Sequence, residues 1–232
     1  MTPIAHDIQL ILFDIDGTLL LPKGAGRAST KMALLEVFQT EAGIDQHEFG
    51  GKTDWHTLRE LLAVHGHDEA AIREVIPTYE QVVARHLSSI IGNYPVERCP
   101  GALELVTELH NSQVPLLGIV TGNVSTTAPI KLRAAGYDPS WFVVGAYGSE
   151  SPERNDLPFL AVERAERLLG RSIAPAEVIV IGDTPADIAC ARAMGAVAVG
   201  VMTGFTKRET MLATEPDYLL DDLTTFLGQV ME

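Results

Sequence analysis

Five short runs of apolar residues recur along the chain, and the segments between them carry apolar residues at every third or fourth position. The runs are IQLILF (8–13), VPLLGIV (114–120), WFVVG (141–145), EVIVIG (177–182) and AVAVGVM (196–202). Continuous apolar runs of this length are typical of strands that are buried on both faces of a parallel sheet. Their alternation with helical segments predicts an α/β core, a Rossmann-like parallel sheet with helices on both faces.

Four of the intervening segments have the spacing of amphipathic helices. They cover residues 101–112, 125–136, 157–170 and 185–195. The last segment ends in Gly195, and glycine commonly ends a helix because it adopts the left-handed conformation without strain.

The stretch from residue 21 to residue 98 breaks the alternation of strands and helices. It has helical patterns throughout and no convincing strand. Gly and Pro residues in LPKGAG (21–26) and NYPVERCPG (93–101) indicate a linker at each end. We therefore predict a Rossmann-like core of residues 1–20 and 99–232, with an inserted all-helical cap domain of residues 21–98.

Composition and charge restrict the class of partner. Hydrophobic residues make up 46% of the chain, as in folded globular proteins, and the formal net charge is −14. A surface this acidic repels nucleic acid and anionic membranes, so we expect neither as a partner. The two cysteines, Cys99 and Cys190, form no CxxC pair, and we expect ordinary thiols in the reducing cytoplasm. The sequence leaves a monomer and a homodimer equally open.

Polar residues directly follow four of the predicted strands, and parallel strands bring their carboxyl ends to one edge of the sheet. These residues are Asp14, Asp16, Thr121, Gly122, Asn123, Arg154, Asp183 and Asp187. Two carboxylates about 4 Å apart repel by about 4 kcal/mol at an effective dielectric near 20, so the acids need a bridging dication. Oxygen-only ligands favour Mg²⁺, which we expect on Asp14, Asp183, Asp187 and a backbone carbonyl.

The same residues have the chemistry for phosphoryl transfer. A carboxylate such as Asp14 can attack phosphorus and form an aspartyl-phosphate. Asp16 lies two residues further along an extended segment, on the same side, and can exchange protons with the leaving oxygen and with water. The Thr121 hydroxyl and the Gly122 N–H can donate to phosphoryl oxygens.

Three motifs together resemble those of the haloacid dehalogenase-like hydrolases, in particular the phosphoglycolate phosphatase-like branch. They are DIDGT (14–18), TGN (121–123) and GDTPAD (182–187), and the resemblance covers essentially the whole chain. It implies that the helical block is a mobile cap that closes over the substrate. It also implies hydrolysis of a small phosphorylated metabolite with Mg²⁺ as cofactor.

The resemblance further implies a role for each matching residue. Asp14 corresponds to the nucleophile and Thr121 to the phosphate-binding hydroxyl. Asp16 corresponds to the general acid and base, and its backbone carbonyl to a ligand of Mg²⁺. Asp183 and Asp187 correspond to the acidic metal ligands. An Asp at position 16 favours phosphate esters over the halogenated or phosphonate substrates of other family members.

One family feature is missing from this chain. The family usually has a Lys before the helix that follows the third strand, whereas this region reads SPERNDLPFL (151–160), without Lys. Asn155 falls at the nominal position and Arg154 is its neighbour. We expect Arg154 to supply the positive charge to the phosphate and to Asp14, although Arg and Lys are not equivalent.

The loop GGKTDWH (50–56) resembles the substrate-specificity loop of the family. We predict that Lys52 and Thr53 contact the substrate. A competing interpretation makes the loop a helix N-terminus, with Thr53 or Asp54 as its cap.

Three functions remain open from the sequence. The first is a Mg²⁺-dependent phosphatase. The second is a phosphomutase of the β-phosphoglucomutase kind, which uses the same aspartyl-phosphate. The third is a catalytically weak protein that binds or senses phosphorylated metabolites.

Overall fold

The structure is a computed structural model that describes residues 8–113 and 115–231. Residues 1–7, Val114 and Glu232 lie outside this description. The structure therefore does not cover the two ends of the predicted core domain. It also does not cover Val114, the predicted first residue of the second strand.

The described residues form eight strands. They are β1 (Leu10–Phe13), β2 (Leu20–Leu21), β3 (Glu97–Arg98), β4 (Leu116–Thr121), β5 (Val144–Tyr147), β6 (Val178–Gly182), β7 (Val197–Val201) and β8 (Tyr218–Leu220). Six of them make one sheet in the order β5-β4-β1-β6-β7-β8, and each neighbouring pair is parallel. The predicted α/β fold class is confirmed. Because β1 lies between β4 and β6, the motifs that follow these three strands are neighbours.

Eight α-helices accompany the described strands. They are α1 (Ala25–Phe38), α2 (Asp54–Ala63), α3 (Glu69–Ile90), α4 (Ala102–Ser112), α5 (Ala128–Ala134), α6 (Leu157–Leu169), α7 (Pro185–Met194) and α8 (Arg208–Leu212). The four predicted core helices correspond to α4, α5, α6 and α7. Helix α7 ends at Gly195 in the left-handed conformation (φ 79°), as predicted. No helix within the described ranges combines the length and the apolar character needed to cross a membrane.

The central strand β1 is buried on both faces, which explains its continuous apolar sequence. Successive side chains of a strand point to opposite faces. Ile11 and Phe13 accordingly belong to one apolar cluster, and Leu10 and Leu12 belong to another on the other face of the sheet. The polar residues of this segment begin only at Asp14, where the strand ends.

The cap consists of α1, α2 and α3 around a third apolar cluster, which includes Trp55, Leu58 and Tyr79. Thr53 and Asp68 cap the N-termini of α2 and α3 through their side-chain oxygens. The chain enters and leaves the cap through β2 and β3, which pair antiparallel. This separate cluster and the paired strands support domain boundaries near residues 20 and 98, which we retain as a proposal.

Three local features differ from the prediction. Strand β5 begins at Val144, not at Trp141, because Pro139–Trp141 forms a 3₁₀ turn in which the Asp138 carboxylate accepts from the Ser140 N–H (2.9 Å). The block predicted to be all helical ends in the two-residue strand β3. Strand β8 was not predicted, because three residues are too short for a period to be recognised.

Candidate active site

Four of the predicted site residues lie at the carboxyl edge of the central strands. Asp14 directly follows β1, and its N–H donates to the Ile181 carbonyl in β6 (2.9 Å). Thr121 is the last residue of β4, and Asp183 follows β6. Asp187 lies in the first turn of α7.

Asp14, Asp183 and Asp187 form a buried acidic cluster. Each contributes one carboxylate oxygen, and these oxygens lie within 4.8 Å of one another. Burial raises the pKa of Asp14 to about 6, with the charges of Asp187 and Asp16 adding to the effect and Arg154 opposing it. Burial also raises the pKa of Asp183 well above its usual range, reinforced by the charges of Asp187 and Asp14. Arg154 alone therefore does not offset the charge of the cluster.

Arg154 is the cation of this cluster, and its side chain is only 7% exposed. Its Nη2 lies 3.0 Å from Asp14 Oδ1 and 2.5 Å from Asp187 Oδ1. Its Nη1 donates to the Gly51 carbonyl of the cap loop (2.7 Å). Asn155 is exposed. Of the two candidates for the missing Lys, Arg154 thus has the geometry expected from the sequence.

Asp187 is held from two sides. Its Oδ2 accepts from the Thr184 N–H (3.0 Å) and from the Thr184 hydroxyl (2.7 Å), which makes it part of a capping box at the start of α7. Its Oδ1 receives Arg154. Asp187 therefore caps helix α7 with one carboxylate oxygen and pairs with the cation of the acidic cluster with the other.

The cluster fits Mg²⁺ by its chemistry and by its shape. The three donors are all carboxylate oxygens, which Mg²⁺ prefers. A Cβ atom at Gly17 or at Gly204 would lie 2.3 or 1.7 Å from Asp183 Oδ2, so both glycines are needed to enclose this carboxylate. Within this enclosure Asp183 accepts a long hydrogen bond from Thr18 (3.5 Å). A buried carboxylate so weakly paired is suited to a cation.

Asp16 belongs to a second polar group, which also contains Lys131 and Asn123. Lys131 Nζ donates to Asp16 Oδ2 and to Asn123 Oδ1, each at 2.5 Å. The Asn123 amide donates to Asp16 Oδ2 and to the Thr121 hydroxyl, each at 2.8 Å. Four of the residues that line the cavity are thus joined in one network. That the Asp16 backbone carbonyl binds Mg²⁺ stays a prediction.

The sequence analysis missed Lys131, whose side chain is only 5% exposed. It lies on the buried face of α5 with Ala128 and Leu132. A Lys at the i+3 position of an apolar helix face was the one signal in the sequence that could have identified it. Gly26 makes room for it, since a Cβ atom there would lie 3.3 Å from Lys131 Nζ.

A cavity of about 670 Å³ joins these groups to the cap. The cap loop lies directly on the core: the Asp54 N–H donates to the Gly122 carbonyl (2.7 Å), and the Trp55 N–H donates to the Gly148 carbonyl (3.0 Å). A Cβ atom at Gly122 would lie 2.2 Å from the Lys52 carbonyl oxygen. Gly122 is therefore required for the contact between cap and core.

The structure separates the two predicted specificity residues. Lys52 lines the cavity, and its Nζ lies 2.5 Å from Glu60 Oε2. Thr53 is fully buried; its hydroxyl accepts from the His56 N–H and donates to the Pro152 carbonyl, both at 3.0 Å. Because Thr53 caps α2 and does not line the cavity, these contacts oppose the predicted substrate contact, and we assign it a positioning role.

This geometry agrees with the comparison of the chain with known proteins. The sequence model of the family described as haloacid dehalogenase-like hydrolase matches residues 8–195. The chain belongs to the haloacid dehalogenase-like hydrolases. The predicted family is confirmed, and so is the predicted class of enzyme, a phosphoric monoester hydrolase.

The matches to relatives of this haloacid dehalogenase-like hydrolase cover nearly all of the chain. It is 28% identical to a phosphoglycolate phosphatase from Vibrio vulnificus, over 97% of each chain. It is 27% identical to a phosphoglycolate phosphatase from Synechococcus elongatus, over 97% of this chain and 98% of the relative. A hydrolase from Pseudomonas syringae has the same fold, with a TM-score of 0.69 at 23% identity over 95% of this chain and 97% of the other.

We predict that Lys131→Met lowers kcat for phosphate monoesters about 10²-fold. The substitution removes the ammonium that holds Asp16, and a positioned acid or base contributes 10²–10⁴-fold to a rate. Steady-state kinetics measure the effect of the substitution on kcat, and thermal unfolding measures its effect on stability. Arg133→Met, at an exposed position of the same helix, is the control. A kcat equal to that of the control would show that Lys131 only supports the fold.

Proposed function

We propose that this chain is a Mg²⁺-dependent phosphatase that hydrolyses a small phosphorylated metabolite through an aspartyl-phosphate on Asp14. One observation carries the proposal. Asp14, Asp183 and Asp187 bring carboxylate oxygens within 4.8 Å of one another, and Arg154 lies 3.0 Å from Asp14. A cluster of this kind in the wall of a cavity can receive a phosphoryl group and the cation that accompanies it.

In the first step an oxygen of Asp14 attacks phosphorus, and the bond from phosphorus to the substrate oxygen breaks. Asp16 gives its proton to that leaving oxygen. In the second step water attacks the phosphorus of the aspartyl-phosphate and gives a proton to Asp16. The bond between phosphorus and Asp14 then breaks, which releases phosphate and restores both carboxyl groups.

The remaining residues bind and orient the phosphoryl group. Arg154 and Thr121 line the cavity, and both carry hydrogen-bond donors for the phosphoryl oxygens, on which negative charge accumulates. Asp14, Asp183 and Asp187 would hold Mg²⁺, with the Asp16 carbonyl as a further predicted ligand. When bound, Mg²⁺ supplies positive charge to the phosphoryl oxygens.

The relatives support a small anionic substrate, because those from Vibrio vulnificus and Synechococcus elongatus are named phosphoglycolate phosphatases. We propose that the chain acts on a metabolite of that kind. The acidic surface gives no reason to expect nucleic acid or membrane partners. Two buried free thiols, Cys99 and Cys190, support a cytoplasmic location, while the choice between monomer and homodimer stays open.

Release of inorganic phosphate from p-nitrophenyl phosphate tests this proposal. We expect turnover with Mg²⁺ and none after chelation of divalent ions. Asp183→Asn should raise the Mg²⁺ concentration that gives half-maximal rate by at least 10-fold, because even residues behind the ligands cost 10- to 100-fold in metal affinity. Asp217→Asn removes an exposed acid that pairs with Arg192 and is not part of the cluster, and it is the control. Equal turnover with and without Mg²⁺ would refute the metal requirement.

A further inference from the structure

Arg27 is a cap residue that lines the same cavity as Asp14. It lies in the first turn of α1, next to Gly26. A Cβ atom at Gly26 would be 3.3 Å from Lys131 Nζ, which itself lies 2.5 Å from Asp16 Oδ2. The backbone beside Arg27 is therefore close to Lys131, the cation that holds the proposed general acid Asp16, and both residues line the cavity that Arg27 lines.

The other cations of the cavity wall are already paired with carboxylates. Lys52 pairs with Glu60 (2.5 Å), Lys131 with Asp16 (2.5 Å) and Arg154 with Asp14 (3.0 Å). Among the ion pairs of residues 8–113 and 115–231, none involves Arg27. Its charge is therefore the one in the described cavity wall that no acidic side chain offsets.

Neutral groups hold the Arg27 guanidinium in place. Its Nη1 donates to the Ile44 carbonyl and its Nη2 to the His47 carbonyl (2.8 Å). Its Cζ lies 4.8 Å from the centre of the Phe49 ring. Carbonyls and an aromatic face orient the guanidinium without removing its positive charge. Because the guanidinium is already held in position, little side-chain freedom is lost when an anion binds to it.

Two cap acids also line the cavity, and neither lies in an ion pair with Arg27. Glu48 is exposed, so solvent and salt screen its charge. Asp54 accepts a hydrogen bond from the Val124 N–H of the core (2.9 Å). Arg27 thus remains available to an anionic group of a ligand.

We propose that Arg27 is the cap residue that binds a carboxylate on the leaving group, and that it thereby selects phosphate monoesters of small hydroxy acids, the kind of substrate proposed above. This inference rests on the proposed phosphatase function. A single guanidinium without an acidic partner balances the single charge of a carboxylate, whereas a second phosphate would bring up to two negative charges. It adds a specificity residue on α1, outside the loop that the sequence analysis singled out.

Matched pairs of substrates test the proposal. Phosphoglycolate is compared with 2-hydroxyethyl phosphate, and 3-phosphoglycerate with glycerol 3-phosphate, since each pair differs by one carboxylate. We expect the wild-type enzyme to prefer the carboxylate in at least one pair, by about 10- to 100-fold in kcat/KM. Arg27→Met should reduce that preference to less than threefold, and Arg27→Lys should retain part of it.

The ratio within a pair separates recognition from folding, because a loss of stability lowers both rates alike. Arg59→Met is the control, since Arg59 is a partly exposed cap arginine that pairs with Glu153. This variant should keep the wild-type ratio of kcat/KM within each pair. Absence of a carboxylate preference in both pairs, or an unchanged ratio in Arg27→Met, would refute the role of Arg27. Turnover of p-nitrophenyl phosphate tests the phosphatase function separately, since that ester has no carboxylate.

Discussion

Replacing Asp14 by Asn should lower turnover of p-nitrophenyl phosphate by about 10⁴-fold or more, because the amide cannot form the aspartyl-phosphate. The same substitution should raise the Tm in Mg²⁺-free buffer. Burial and the neighbouring charges of Asp187 and Asp16 raise the pKa of Asp14 to about 6 despite Arg154, so the charged form is disfavoured in the folded protein. A loss of activity together with a gain of stability indicates a charge that is needed for function but lowers the stability of the folded protein.

Two measurements check this expectation, phosphate release and thermal unfolding, each with and without Mg²⁺. Mg²⁺ should stabilise the wild-type protein more than the variant, since the variant has lost one ligand. The exposed Asp45→Asn variant controls for charge removal elsewhere. If Asp14→Asn retained turnover within tenfold of the wild type, the nucleophile would have to be another residue.

Replacing Arg154 by Met should damage both activity and stability. The guanidinium contacts Asp14 and Asp187, and both would be left buried without their cation, at a cost of about 3–5 kcal/mol. In a chain of this size that corresponds to a fall in Tm of about 10 °C. Loss of a donor to the phosphoryl group should lower kcat a further 10²- to 10³-fold.

Arg154→Lys discriminates between charge and geometry. Lysine keeps the charge but cannot reach Asp14, Asp187 and the Gly51 carbonyl at once. We therefore expect it to recover most of the stability and only part of kcat. Arg167→Met, on the exposed face of α6, is the control. Full activity in Arg154→Met would mean that another group carries the charge assigned to it.

Much of the site followed from the sequence because parallel strands impose it. Asp14, Thr121 and Asp183 each come at the end of an apolar run, and adjacent parallel strands end at the same edge. To predict that these three residues lie close together, only the strands had to be identified correctly. The assignment of Arg154 over Asn155 depended on chemistry, since only Arg carries the required charge.

Other features depended on long-range contacts that no local pattern specifies. Lys131 is buried because Asp16 and Asn123, 115 and 8 residues away, receive its ammonium. Thr53 follows glycines that suggest a ligand loop, yet the Pro152 carbonyl, 99 residues away, takes its hydroxyl hydrogen. Arg27 carries no sequence signal at all, because its carbonyl partners come from a loop that only the fold brings close.

The paired strands β2 and β3 have a consequence for how such an enzyme diversifies. Leu20 faces Arg98 across this ribbon, so the whole helical insertion begins and ends at hydrogen-bonded neighbours about 4.8 Å apart. An insertion whose two ends join the core through one ribbon can be exchanged for another of different length without moving the central sheet, provided that cap–core contacts such as Asp54 N–H to the Gly122 carbonyl are replaced. On the proposed function, natural variation and deliberate grafting of the cap would change the choice of leaving group while the proposed phosphoryl chemistry at the strand ends is kept.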